Sequence, residues 1–174
     1  MDKILRDLFS FQDIEYKNFN AKLIPTVDKD LIIGVRTPDL RNYAKILFKE
    51  DEKRTFEFLN NIPHKYYEEN NLHGCLIEQI KDFDLAMEYT EKFIPFIDNW
   101  ATCDLFSPKV FKRYPNETYK YILDWIKDEK TYVIRYGIGL LLSNYLDENF
   151  KEEHLKNVSK IKSEEYYVNM MIAW

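Results

Sequence analysis

Thr37-Pro38-Asp39-Leu40-Arg41-Asn42-Tyr43-Ala44-Lys45-Ile46-Leu47-Phe48-Lys49 is the stretch whose reading decides the fold class. Thr37 can accept a capping hydrogen bond, Pro38 suits the first helical position, and Asp39 sits near the positive end of the helix dipole. Leu40, Tyr43, Ala44 and Leu47 recur at three- and four-residue spacing, so the segment is expected to be a helix to about Lys49 with one apolar face. Arg36 and Arg41 flank its start. Exposed backbone N–H groups beside two guanidiniums would make an anion site; the alternative is a capped helix with solvated arginines.

Working outward, the same signals recur along the chain. Helices are expected over Asp2–Phe11, Asp13–Leu23, Glu52–Asn61 and Tyr66–Lys81, then from a cap at Asp82 to about Ile94. A further helix from Asn99 to about Arg113 is split by Pro108. Asn116 caps one to Lys127, and Thr131–Leu146, Lys151–Lys162 and Glu164 onward complete the set. Thr26–Val35 reads as a loop. His73 and Gly74 fall inside a helix, where a lone histidine is more often packed than a ligand. Only 4 Gly and 6 Pro occur, so long helices on short loops are favoured over strands. About ten helices and no strand pattern give an all-α protein. Successive pairs of this length are the units of HEAT-like helical repeats, which stack into a curved α-solenoid with a concave face for an elongated partner. No clean sequence period accompanies them.

The 174 residues make one domain, 1–174, long enough for a sizeable core, and 45% apolar and 16% aromatic content argues against disorder. The net charge of -5 counts against a general nucleic-acid binder, though it leaves room for a basic strip on one face of an acidic body. Cys75 and Cys103 have no metal-ligand spacing, and the charged N-terminus is not a signal peptide, so a reducing cytoplasm is expected. No apolar run is long enough to span a bilayer. No helix-stop signal follows Trp174, so the natural chain is expected to extend beyond it.

The candidate chemistry lies in Asp98-Asn99-Trp100-Ala101-Thr102-Cys103-Asp104. As a helix start this puts Trp100 and Asp104 one turn apart on one face. An indole beside a carboxylate suits a ligand that is aromatic, cationic, or becomes cationic as it reacts. Arg135, in Tyr132-Val133-Ile134-Arg135-Tyr136-Gly137, stands in an otherwise apolar helix, where a charge must snorkel, pair or reach a ligand. Trp174 ends an apolar stretch that would pass for ordinary core by periodicity, and Asp104 alone could be a solvated acid. Lys109, Lys112 and Arg113 form a local basic patch.

Ile33-Gly34-Val35-Arg36-Thr37-Pro38-Asp39-Leu40-Arg41, His73-Gly74, Asp98-Asn99-Trp100 with Asp104, Arg135, and Ile172-Ala173-Trp174 occur in this order across nearly the whole chain. The set resembles the AlkD-like family of alkylpurine DNA glycosylases, built from HEAT-like repeats. The resemblance implies a monofunctional enzyme that hydrolyses the N-glycosidic bond of N3- or N7-alkylated purines in duplex DNA, without flipping the base into a pocket as most glycosylases do. It implies catalytic roles for Asp104, Trp100 and Trp174, and a DNA-backbone contact for Arg135. A basic DNA-binding face would draw on Lys29, Arg36, Arg41, Lys109, Lys112, Arg113, Lys160 and Lys162. No metal or organic cofactor is needed, and nothing requires more than a monomer. A non-catalytic HEAT-like scaffold that binds protein or DNA is the alternative.

Overall fold

Side-chain caps set many of the helix boundaries. In the computed structural model, which describes residues 3–174, Asp13 accepts from Tyr16 N–H, Asp51 from Arg54 N–H, Asp82 from Leu85 N–H and Asn99 from Thr102 N–H. Each short polar side chain satisfies a first-turn amide that has no partner within its own helix. The helices that follow are α1 (Lys3–Ser10), α2 (Ile14–Leu23), α3 (Thr37–Glu50), α4 (Glu52–Asn60), α5 (Tyr67–Ile77) and α6 (Phe83–Phe93). After them come α7 (Trp100–Leu105), α8 (Lys109–Arg113), α9 (Pro115–Trp125), α10 (Thr131–Asn144), α11 (Glu152–Val158) and α12 (Tyr166–Ala173). Among the described residues there is no strand, and no helix is long and apolar enough to cross a membrane. The expected start of the first helix at Asp2 lies outside the described residues.

Several boundaries differ from expectation, each for a local reason. Thr37 is the first residue of α3 rather than its cap, and Arg36 takes the cap position with no side-chain bond. Pro115, not Asn116, opens α9, because a proline loses nothing where the first amide is unpartnered anyway. The segment expected to run from Asn99 to Arg113 is broken by extended backbone at Phe106 and by Pro108, which leaves two short helices. The loop from Thr26 to Val35 contains a single 3-10 turn at Lys29–Leu31.

Packing runs along two rows. α3 packs on α5, α5 on α7, α7 on α10 and α10 on α12; α4, α6 and α9 lie against this row, with α8 between α6 and α9. One apolar core extends from Ile4 to Met171. Gly74 in α5 lets the α7–α8 connection approach closely, since a Cβ there would meet the Phe106 ring at 2.9 Å. Phe106 in turn stacks on Tyr136 of α10, with centroids 4.8 Å apart. These contacts bring the end of α7 against the middle of α10.

The stretch before α3 is tied down from within. Glu68, fully buried in α5, accepts from the backbone N–H groups of Ile33 (2.7 Å), Gly34 (2.6 Å) and Val35 (3.3 Å). Gly34 has φ +99, a left-handed conformation that suits glycine, and a Cβ would meet Asp13 O at 2.5 Å. Burial raises the Glu68 carboxyl above its ordinary value, against the pull of those three amides.

Candidate active site

α7 carries the acid. Its start is fixed by a buried network: Asn99 Oδ1 accepts from Thr102 N–H at 2.8 Å, and the Thr102 hydroxyl donates to Asn71 Oδ1 of α5 at 2.7 Å. Asp104 falls on the last turn of this six-residue helix, where the dipole disfavours a negative charge. The compensation comes from α10. Arg135 Nε donates to Asp104 Oδ1 at 2.9 Å and Nη2 donates to Oδ2 at 2.6 Å, a two-point fork. Its Nη1 donates to the Tyr167 carbonyl of α12 at 2.7 Å, and its Cζ lies 5.6 Å from the centre of the Trp174 ring.

Asp104, Arg135 and Trp174 line one cavity of about 200 Å³, with Ser107, Tyr136 and Gly139. The Arg135 side chain is only 1% exposed, that of Asp104 25%. The carboxylate is therefore held from behind and open in front. Trp174 is 66% exposed at the rim. Cys103 also borders the cavity, but burial pushes its thiol well above the ordinary range, so it is no thiolate nucleophile at neutral pH.

Trp100 does stand one turn before Asp104, as the spacing predicts, but it does not line this cavity. Its indole N–H donates to Leu23 O at 3.0 Å, and the ring packs beside Ile24, Ile32 and Tyr67. The structure thus gathers Asp104, Arg135 and one indole at the cavity and holds the second indole on the neighbouring turn, against the end of α2. Arg135, expected to grip a phosphate, instead has its fork engaged by Asp104.

The basic residues divide into three groups. Arg36 pairs with Asp13, at 2.8 and 3.0 Å, and lies over the Tyr16 ring; Arg41 bonds to Glu78 and, at 2.6 Å, to Leu105 O. At the start of α3 both guanidiniums are thus paired with protein groups, and the amides of residues 33–35 just upstream hold Glu68. Lys109, Lys112 and Arg113 are exposed on α8 and line two hollows that share Ser107 with the Asp104 cavity. Two cations that the sequence did not single out join them, Lys45 of α3 and Lys81 of the α5–α6 connection. Among the described residues none of these five is in an ion pair. Lys160 and Lys162 line a different hollow, with Lys127, Asp128 and Glu153.

His73 is packed, as expected of a lone helical histidine. Its ring stacks on Phe93 at 4.0 Å, and Nδ1 lies 2.8 Å from Nε2 of His64.

An open carboxylate held by a guanidinium that also lies over an indole, in a cavity sharing Ser107 with hollows lined by unpaired cations, is suited to a polyanion whose reacting part becomes positive. The family model described as DNA alkylation repair enzyme matches residues 4–174. The chain belongs to that family. Family membership makes it an enzyme of DNA alkylation repair and DNA its substrate, in keeping with the resemblance carried by Arg36–Arg41, His73-Gly74, Asp98–Asp104, Arg135 and Trp174. Comparison with curated proteins and with solved structures gives no match.

Proposed function

We propose that the protein is a monofunctional DNA glycosylase that releases N3- and N7-alkylated purines from duplex DNA. The observation that carries this reading is the solvent-facing Asp104 carboxylate, fixed in a cavity that shares Ser107 with the two hollows lined by the five unpaired cations. Alkylation at a purine ring nitrogen makes the base cationic. When the N-glycosidic bond breaks, the base leaves with the bonding pair as a neutral molecule, so no acid is needed to protonate it. Positive charge moves to the sugar as oxocarbenium character, and Asp104 stabilises it at close range. Water then adds to C1′ and its proton is lost to solvent, with the carboxylate placed to orient that water.

Trp174 at the rim excludes water on one side and offers its π face to the cationic base or sugar, worth on the order of 0.5–2 kcal/mol. Trp100, one turn earlier, walls the approach next to α2. The duplex backbone lies along Lys109, Lys112, Arg113, Lys45 and Lys81, whose charges are free to neutralise phosphates. We read the two packing rows as HEAT-like repeats of an α-solenoid.

The test is release of methylated purine from alkylated duplex by the purified protein. Asp104→Asn should fold and bind DNA as the parent does but release base about 10²–10³-fold more slowly, the usual loss for one preorganised electrostatic group. Equal rates would remove Asp104 from the mechanism. Binding of duplex by the parent with no release would instead favour a non-catalytic scaffold.

A further inference from the structure

Among the largest fully buried side chains is one guanidinium, that of Arg135. Burying such a group is costly unless its N–H donors find acceptors. Arg135 has three: both Asp104 oxygens and the Tyr167 carbonyl. The groups it touches come from α7, from α12 and, through the ring of Trp174, from the residue that follows α12. A side chain 1% exposed and committed in this way is badly placed to reach a phosphate.

We propose that Arg135 is a positioning residue, which sets the Asp104 carboxylate and the Trp174 indole against each other across the cavity and does not contact the DNA backbone. The inference rests on the glycosylase reading of the site. A carboxylate on the last turn of a short helix can rotate about two side-chain bonds; the two-point fork removes that freedom and leaves the solvent-facing lone pairs aimed into the cavity. Trp174, largely exposed, has little packing to hold it, and its link to Arg135 runs through the ring and through the first turn of α12. Both groups are thereby placed before substrate arrives, which is what electrostatic catalysis requires.

A brace and a phosphate clamp make opposite predictions. For Arg135→Gln, and for Arg135→Lys, which keeps the charge but loses the fork, single-turnover base release should fall about 10–100-fold, as expected for misplaced groups. Duplex affinity and its salt dependence should match the parent. The Asp104→Asn/Arg135→Gln double variant should lose less than the product of the two single losses, because both changes share one carboxylate and only the effect on Trp174 adds. A salt slope shallower by about 0.9 with weaker binding, or losses that multiply in the double variant, would make Arg135 a clamp and overturn the proposal.

Should Arg135→Gln fail to fold with Asp104 left unpaired, Arg135→Lys carries the same comparisons, with Asp104→Asn/Arg135→Lys as the double. Amide exchange read without DNA decides separately from catalysis. Over Tyr166–Trp174 it should quicken in Arg135→Lys while α3 stays unchanged; no local change there would overturn the brace. Quickened exchange together with no base release by the parent protein would overturn the glycosylase reading and leave the brace standing.

Discussion

Asp104 shows how a residue's chemistry depends on partners far away in the chain. Its own helix is six residues long and ends in its favour nowhere; the charge is stabilised from α10, 31 positions later. From the sequence, Trp100 and Asp104 were legible as neighbours because helical spacing is local. The partner of Arg135 was not, since an acid that pairs across 31 residues leaves no periodic trace, and the fork that Asp104 takes was assigned to phosphate. The histidines give a second case. Burial holds His64 at about 4, against 6.5 for a free imidazole, and pushes His73 well down, with His64 beside it adding to the effect. Between pH 6.5 and 4 the unfolded chain therefore takes up protons that the folded one refuses, and stability falls as pH falls through that window. The raised carboxyl of Glu68 works the other way just above its ordinary value. His64→Phe, which keeps the stack on Phe58, should lose less stability than the parent on going from pH 7 to 4.5, by about 2 kcal/mol. Urea midpoints at the two pH values measure it, and parallel shifts in both proteins would refute it.

At the level of elements, the caps made the helix map readable. Asp13, Asp82 and Asn99 were each predicted at or beside a helix start, and each bonds a first-turn amide. What the pattern could not give was how close two elements approach. Gly74 and Gly139 look alike as single glycines inside helices, yet they differ in three dimensions. A Cβ on Gly74 would press into the Phe106 ring at 2.9 Å, whereas one on Gly139 would meet Met171 Cε at 3.6 Å, an ordinary contact. Gly74→Ala should thus separate α5 from the α7–α8 connection and lower stability by about 1–3 kcal/mol, even after the gain in helix propensity. That corresponds to roughly 2–10 °C in Tm for a chain of this size. Gly139→Ala, with only the propensity gain, should hold or raise Tm. Thermal unfolding of the two variants side by side checks the contrast, and equal losses would mean that the Phe106 contact is not what the glycine serves.

The whole molecule resolves the apparent conflict between an acidic chain and a polyanionic substrate. Net charge sums over all surfaces, while binding depends on which cations are unpaired and where they converge. Lys109, Lys112 and Arg113 could be found because they are adjacent on α8; Lys45 and Lys81 join them only through the packing of α3 on α5, so no motif announces them. If the five lie along a duplex, log affinity should fall with log salt at a slope near -4.5, about 0.9 per phosphate neutralised, and Lys45→Gln with Lys81→Gln should flatten it by about 1.8. A slope unmoved by the pair would take both lysines off the path of the backbone. The amides of residues 33–35, buried upstream of α3, lie outside this set of cations. They are already occupied by a tethered carboxylate that never diffuses away, so a phosphate arriving there would have to evict part of the protein rather than water.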